Sequence, residues 1–299
     1  MSISAKQVKE LRQQTNAGIL DCKEALQETD GDMDAAAEWL EKKGITAAQK
    51  KSGRVAAEGL IQYWRSDDKK SATLVEVNCE TDFVARNDDF QTFARRVTDA
   101  IGEAGVDSVD DVDDVELDGE PVSQVVTEKI ATLGENINIR RVERLEAPEG
   151  VIGGYIHTGN QIGVVVSVNA TDVDDEVETF ARDVAMHAAA MAPPYLDRDD
   201  IPQDAIESQK DVFRAQMEEQ GKPDHIIPKI IEGKINKWIG EQTLVNQPFV
   251  KDSDSTVGEL QSEMEGVSIS EFVRFEVGEG IETEEEDFAD EVAEALDQE

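Results

Sequence analysis

Apolar residues in the first fifty positions recur at intervals of three and four. Val8 and Leu11 mark a stripe running to Thr15. Ile19, Cys22 and Leu26 line a second segment, Ile19 to Glu28, and Met33, Ala36, Ala37 and Leu40 line a third, Asp32 to Lys43. The polar punctuation agrees with three helices. Ser4 followed by Gln7 spells a capping box, with Ile3 and Val8 at the staple positions. Lys42 and Lys43 followed by Gly44 predict the end of the third helix, and Lys50 to Arg54 read as a linker. Residues 1–54 are therefore expected to form a compact three-helix module.

From residue 55 the period changes. Leu60–Trp64 and Thr73–Val77 read as strands around a polar turn at Ser66-Asp67-Asp68. Phe90, Phe93, Ala94, Val97 and Ile101 return to helical spacing. Asp107–Gly119 reads as an exposed acidic loop, Pro121 opens a helix carrying Val122, Val125, Val126 and Ile130, and Ile137–Leu145 reads as a strand. The order then recurs. Gly59-Leu60-Ile61 resembles Gly154-Tyr155-Ile156, Val75-Glu76-Val77-Asn78 resembles Val166-Ser167-Val168-Asn169, and Phe93-Ala94-Arg95 resembles Phe180-Ala181-Arg182, at separations of 95, 91 and 87 residues. The expected class is α+β, with two similar core subdomains packed together, each a small antiparallel sheet with helices on one face. The first spans 55–146 and the second 147–202 and 245–280. Gly153-Gly154 inside a strand pattern suggests a bulge. Residues 203–244 read as a protruding antiparallel helical hairpin, Gln203–Gln220 and Asp224–Thr243 joined at Gly221-Lys222-Pro223, roughly 25–30 Å long at about 1.5 Å per residue. Ser270–Val277 returns as a strand. Phe288, Val292 and Leu296 suggest an acidic C-terminal helix within 281–299.

Composition narrows the function. The 299 residues carry 29 basic and 67 acidic side chains, a net charge of −38. Such a field repels phosphate backbones, which argues against nucleic acid as a direct partner. The acids are spread through the chain, a pattern that suits a salt-rich, halophilic cytoplasm where charges are screened within roughly 3 Å at molar salt; an acidic surface that steers a basic partner is the rival explanation. The first sixty residues hold 9 basic and 10 acidic residues, whereas 105–120 and 279–299 hold 8 and 11 acids with no base. No apolar run is long enough for a membrane span and Met1-Ser2-Ile3-Ser4 does not open a signal peptide, so a cytoplasmic location with no membrane partner is expected.

Two cysteines, Cys22 and Cys79, make no disulfide framework, and no Cys-His cluster has metal spacing. No phosphate loop ending in Lys-Ser/Thr is present, so direct nucleotide binding and a cofactor are not expected. His187 sits in an Ala-rich helix and reads as a core residue. Cys79 has no activating base beside it, which disfavours a catalytic thiol. The segment Cys79-Glu80-Thr81-Asp82-Phe83-Val84-Ala85-Arg86-Asn87 stands out, because it sets an acid and a large aromatic at a turn between a strand and a helix. A Phe there either folds back into its own core or is offered to a partner.

These motifs together resemble the elongation factor Ts family, the bacterial guanine-nucleotide exchange factors for elongation factor Tu. Val8-Lys9-Glu10-Leu11-Arg12 and Ala17-Gly18-Ile19-Leu20-Asp21-Cys22-Lys23 are similar to its first signature, and Thr81-Asp82-Phe83-Val84-Ala85-Arg86-Asn87 to its second. Gly134-Glu135-Asn136-Ile137-Asn138-Ile139-Arg140-Arg141, Gln247-Pro248-Phe249-Val250 and Arg274-Phe275-Glu276-Val277-Gly278-Glu279-Gly280 extend the likeness nearly end to end. The resemblance implies a ubiquitin-associated-like (UBA-like) N-terminal module and elongation factor Tu as partner. It also implies an exchange role without enzymatic chemistry. It makes Asp82 and Phe83 the pair that intrudes on the partner, flanked by Thr81 and Val84. Ile19 and Leu20 become the N-terminal contact pair, where the family often has Met, and His157 a contact to the partner's third domain. A binding scaffold of ubiquitin-like fold, or one associated with the ribosome, without exchange activity is the alternative.

Overall fold

The computed structural model describes residues 3–15 and 17–282. Three helices open the chain, α1 (Ala5–Thr15), α2 (Ile19–Glu28) and α3 (Met33–Lys51). They share a small core of Leu11, Cys22, Ala25, Leu26 and Ala36, against which Ile3 and Val8 pack. Ser4 and Gln7 exchange reciprocal hydrogen bonds, Ser4 N–H to Gln7 Oε1 at 3.1 Å and Gln7 N–H to Ser4 Oγ at 3.2 Å. Gly44, however, does not end α3. A glycine stops a helix by taking a left-handed backbone, and Gly44 keeps a helical one, so α3 runs on through Lys50 and Lys51. The missing side chain serves packing instead. A Cβ on Gly44 would stand 3.3 Å from that of Ala131, where α3 lies against a later helix.

The core follows as β1 (Glu58–Arg65), β2 (Ser71–Cys79), the single turn α4 (Asp82–Ala85), α5 (Asp88–Ala104), the two-residue strands β3 (Glu116–Leu117) and β4 (Glu120–Pro121), α6 (Val122–Leu133) and β5 (Asn138–Glu146). Next come β6 (Gly150–Ile156), β7 (Ile162–Asn169), α7 (Asp175–Met191), α8 (Gln203–Glu219) and α9 (Ile227–Gln242). The chain closes with β8 (Pro248–Phe249), β9 (Asp252–Thr256), α10 (Val257–Glu263) and β10 (Ser268–Glu276). The mixed helices and small antiparallel sheets are those of an α+β protein. The expected helix around Phe288 lies outside the described residues.

Two three-stranded antiparallel sheets, β1-β2-β5 and β6-β7-β10, share one topology, with the second strand of each in the middle. Side chains alternate across them with the period of two that a pleated strand imposes. Leu60, Val75 and Val77 face a core filled by Phe90, Phe93 and Ile101 of α5 and Ile130 of α6. Ile61 and Leu74 point the other way, into a layer shared with Ile152, Val165 and Phe275 of the second sheet. Val164, Val166 and Val168 turn outward again, to α7. The two sheets thus lie face to face with helices outside, and each fully buried Phe or Ile in these layers contributes about 2–3 kcal/mol.

The register corrects part of the repeat. Gly59 pairs with Asn78, and Gly150 pairs with Asn169. A Cβ on either glycine would run into the carbonyl of Val77 or Val168 respectively. Gly150, not Gly154, is therefore the counterpart of Gly59, and both strand pairs repeat at 91 residues. Gly153 and Gly154 form no bulge: their pairing to Val166 and Val165 is regular. A Cβ on Gly153 would overlap the Ala181 backbone of α7, and one on Gly154 the ring of Tyr63, so both glycines admit close packing. The acidic stretch 107–119 is not wholly exposed either. Val112, Val115 and Leu117 are buried under it, holding it to α5 and α6.

Helices α8 and α9 pack through their own cluster of Ile206, Met217, Ile227, Ile231, Ile235 and Ile239. Their base is tied to the core where Leu244 N–H reaches Tyr195 O at 2.9 Å.

Candidate functional site

The turn after β2 is built from its base upward. Cys79 ends the strand fully buried and donates its Sγ–H to Thr81 O at 3.3 Å. Thr81 takes an extended backbone and caps α4, its Oγ1 accepting from Val84 N–H at 3.3 Å. Val84 leans on the first core and Ala85 is buried in it. Asn87 then caps α5 by accepting from Asp89 N–H at 2.8 Å. Two capped helices in succession leave one side chain with nothing to pack against, and Phe83 is 84% exposed. Beside it Asp82 bridges Arg86 at 3.1 Å, one helical turn on. The aromatic is therefore not folded back into its own core.

A second segment straps this turn. The helix α6 ends at Gly134, whose φ of +83° swings the chain under the turn. The Glu135 carboxylate accepts three hydrogen bonds there, from Thr81 Oγ1 at 2.6 Å and from the N–H groups of Glu80 and Thr81 at 3.1 Å each. In return Glu80 accepts from Asn136 N–H at 2.5 Å. Glu135 and Asn136 carry no sign of this task in the sequence, because partners 54 to 56 residues apart leave no periodic trace.

The other singled-out residues stand elsewhere. Ile19 and Leu20 open α2 and are 55% and 80% exposed, so neither joins the core that Cys22, Ala25 and Leu26 of the same helix help to form. His157 begins the turn from β6 to β7, exposed, its Nδ1 3.2 Å from the Tyr155 hydroxyl. That turn is docked on β1, since Ile61 N–H donates to Asn160 O at 2.7 Å and Gln161 Nε2 to Gly59 O at 2.9 Å. Strand β1 thus carries α4 on one side and the His157 turn on the other sheet.

The profile of the family described as Elongation factor TS matches residues 80–279, two thirds of the chain. Proteins named Elongation factor Ts from Halothermothrix orenii and Methylococcus capsulatus are each 49% identical to it, and one from Clostridium perfringens is 45% identical. The first two alignments cover 98% of this chain and 98% of each relative; the third covers 97% and 98%. The chain belongs to the elongation factor Ts family. Its role is that of a translation elongation factor.

The remaining elongation factor Ts motifs form the frame. Glu76, fully buried in β2, accepts from Arg140 Nη1 at 3.0 Å, Arg141 Nε at 2.5 Å and Gly278 N–H at 2.9 Å. Arg141 also lies over the Phe275 ring and donates to Glu276 O at 2.7 Å, clasping the two sheets together. The Gln247-Pro248-Phe249-Val250 motif meets His187, which is buried between Gln247 Oε1 at 3.0 Å and Val250 N–H at 3.2 Å. An imidazole that accepts at Nδ1 and donates at Nε2 is neutral, and burial holds its pKa below the ordinary histidine value. Burial, then the Glu135 carboxylate, pushes the Cys79 thiol up to about 12, which removes it as a nucleophile at neutral pH. Among the described residues no group of His, Cys, Asp and Glu has the arrangement of a metal site, and no helix is long and apolar enough to cross a membrane.

Proposed function

We propose that this chain binds elongation factor Tu carrying GDP and promotes release of the nucleotide. The observation that carries the reading is Phe83, a large apolar ring held in the open on a turn whose base is hydrogen-bonded and packed. A bound nucleotide depends on phosphate contacts and on Mg²⁺, which demands near-octahedral coordination. Phe83 inserts between helices of the partner and gains the burial it lacks here, about 2–3 kcal/mol. Asp82 meets the partner beside it, and the shift of the partner's helices spoils the Mg²⁺ and phosphate geometry. Ile19 and Leu20 supply a second apolar contact and His157 a third, with Thr81 and Val84 shaping the wedge. Linkage makes the effect reciprocal, so nucleotide weakens the factor's binding by the same ratio. The chain itself holds no nucleotide and performs no covalent step.

In this reading residues 1–54 are a UBA-like module and 55–146 the first core subdomain. Residues 147–202 and 245–280 are the second, and 203–244 form a projecting arm. The protein works in the cytoplasm, and its net charge of −38 suits a salt-rich one. The test is release of a fluorescent GDP analogue from the cognate GTPase in high salt. The combined variant Asp82→Ala, Phe83→Ala is expected to lose most of the acceleration while staying folded; full acceleration by it rules the wedge out.

A further inference from the structure

We propose that Glu135 and Asn136 are positioning residues for the Asp82-Phe83 wedge, and that through Arg54 they also fix it relative to the N-terminal helices. The proposal rests on the exchange reading above. A helix of four residues is far below the length that holds itself together in water. Phe83 adds nothing to its own fold, since it touches almost nothing. The order of the tip must come from the base. The strap provides it with an ionised acceptor, the stronger class of hydrogen bond, taking all three donors that Glu80 and Thr81 present.

The strap also reaches outward. Asn136, buried, donates its Nδ2 to Arg54 O at 2.8 Å, and Arg54 Nη1 lies 3.5 Å from the Glu80 carboxylate. Arg54 is the third residue beyond the end of α3. One network therefore holds the root of the wedge and the exit of the helical module that displays Ile19 and Leu20. Two apolar contacts held in fixed relation engage one partner without ordering either at the moment of binding, and that preorganisation is what raises affinity and rate. The counterpart segment in the second half, Gly266-Val267 before β10, offers no carboxylate to its turn; there a Cβ on Gly266 would meet Thr171 instead.

The experiment uses the full chain with Glu135→Gln, Phe83→Ala and both together. In the free protein, hydrogen exchange at the Glu80 and Thr81 amides is expected to speed up about tenfold or more in Glu135→Gln, with the β1–β2 ladder unchanged. Acceleration of GDP-analogue release is expected to fall by about 10- to 100-fold, the scale of a misplacement near 1 Å. On top of Phe83→Ala, Glu135→Gln should cost less than about twofold, because a positioned group that is gone cannot be misplaced. Unchanged amide exchange, or an equal loss in both backgrounds, overturns the positioning role. Full acceleration by Phe83→Ala overturns the wedge reading itself and the service of Glu135 to it, while the amide measurement still reports whether Glu135 holds the turn.

Discussion

The two halves of the core solve the same folding problem and differ where one of them meets the outside. Both place a glycine-paired strand beside a central strand, and both follow it with a 17-residue helix, α5 and α7, offset by 87 residues. Between central strand and helix the first half inserts eight residues, 80–87, and the second only five, 170–174. The longer link makes room for a capped helical turn with Phe83 at its tip. The shorter one runs directly from Asn169 to the Asp174 cap, and its exposed apolar residue, Val173, is small and stands on no helix. The duplicated frame therefore leaves the tip of this link free to vary, and only the first half has both lengthened it and strapped it down.

The halves also differ inside the central strand, and that difference predicts the largest effect. Glu76 of β2 occupies the place of Ser167 in β7, each opposite an isoleucine, Ile61 or Ile152. Glu76 is a buried charge shared by two arginines, whereas Ser167 makes hydroxyl contacts to Glu146 O at 3.1 Å and Ser270 at 2.9 Å. Glu76→Ala removes the buried carboxylate that Arg140 and Arg141 share, leaving Arg141 only the exposed Glu279, and should destabilise the protein by about 3 kcal/mol. Ser167→Ala should cost about 1 kcal/mol. Urea midpoints of the two variants measure the contrast, and equal costs would mean that Glu76 is no hub.

Phe83→Ala comes next and moves function rather than stability. Removing the ring should reduce the acceleration of GDP release about 30- to 100-fold, the equivalent of some 2–3 kcal/mol of lost burial on the partner. The unfolding free energy from urea titration should change by less than about 0.5 kcal/mol, the usual range for a surface position. The reverse pattern, stability lost and exchange retained, would return Phe83 to a role in its own fold.

His187 separates the halves by pH. Its counterpart in α5, 87 residues earlier, is Ala100, so the first half has no titrating group there. Burial depresses the folded pKa of His187 below the unfolded value near 6.5. As pH falls below about 6.5 the unfolded chain binds a proton that the folded chain refuses, and stability declines until the folded pKa is passed. His187→Ala should remove that decline. At neutral pH it should cost about 1–3 kcal/mol, because Gln247 and the Val250 N–H lose their partner. Thermal unfolding at pH 8 and pH 5.5 reads both.

Much of this contrast was legible in the chain. The Ser4–Gln7 capping box and the period-two strands are local patterns, and local patterns survive in one dimension. The place of Phe83 between a strand and a helix left two outcomes open, its own core or a partner, and only its 84% exposure decides between them. What escaped was pairing at a distance. Gly44 and Gly153 looked like punctuation, yet each exists for a neighbour, Ala131 or Ala181, that periodicity cannot name. The offset of 95 for the first strands was an apolar likeness that matched the wrong glycine, since only hydrogen-bonded register distinguishes Gly150 from Gly154. The buried Val112, Val115 and Leu117 were hidden by the acids between them. The strap of Glu135 was invisible because a carboxylate among 67 acids carries no signal until its three donors are seen.

The smallest expected effect is the most direct test of what the longer link adds. Val173→Phe, made on the Phe83→Ala background, puts an aromatic at the exposed position of the second turn. If an exposed ring were sufficient, exchange would return. The geometry opposes this: Val173 has no α4 beneath it and no carboxylate strap, so a ring there would have to be ordered at the moment of binding, at about 1–2 kcal/mol for each backbone residue fixed. That cost over even two residues offsets the roughly 2–3 kcal/mol such a ring could gain by burial. The transplanted ring is therefore expected to change the rate of GDP-analogue release by less than about twofold. Recovery of more than a tenth of the wild-type acceleration would mean that the ring alone suffices, and that the inserted turn and its strap are incidental to the difference between the halves.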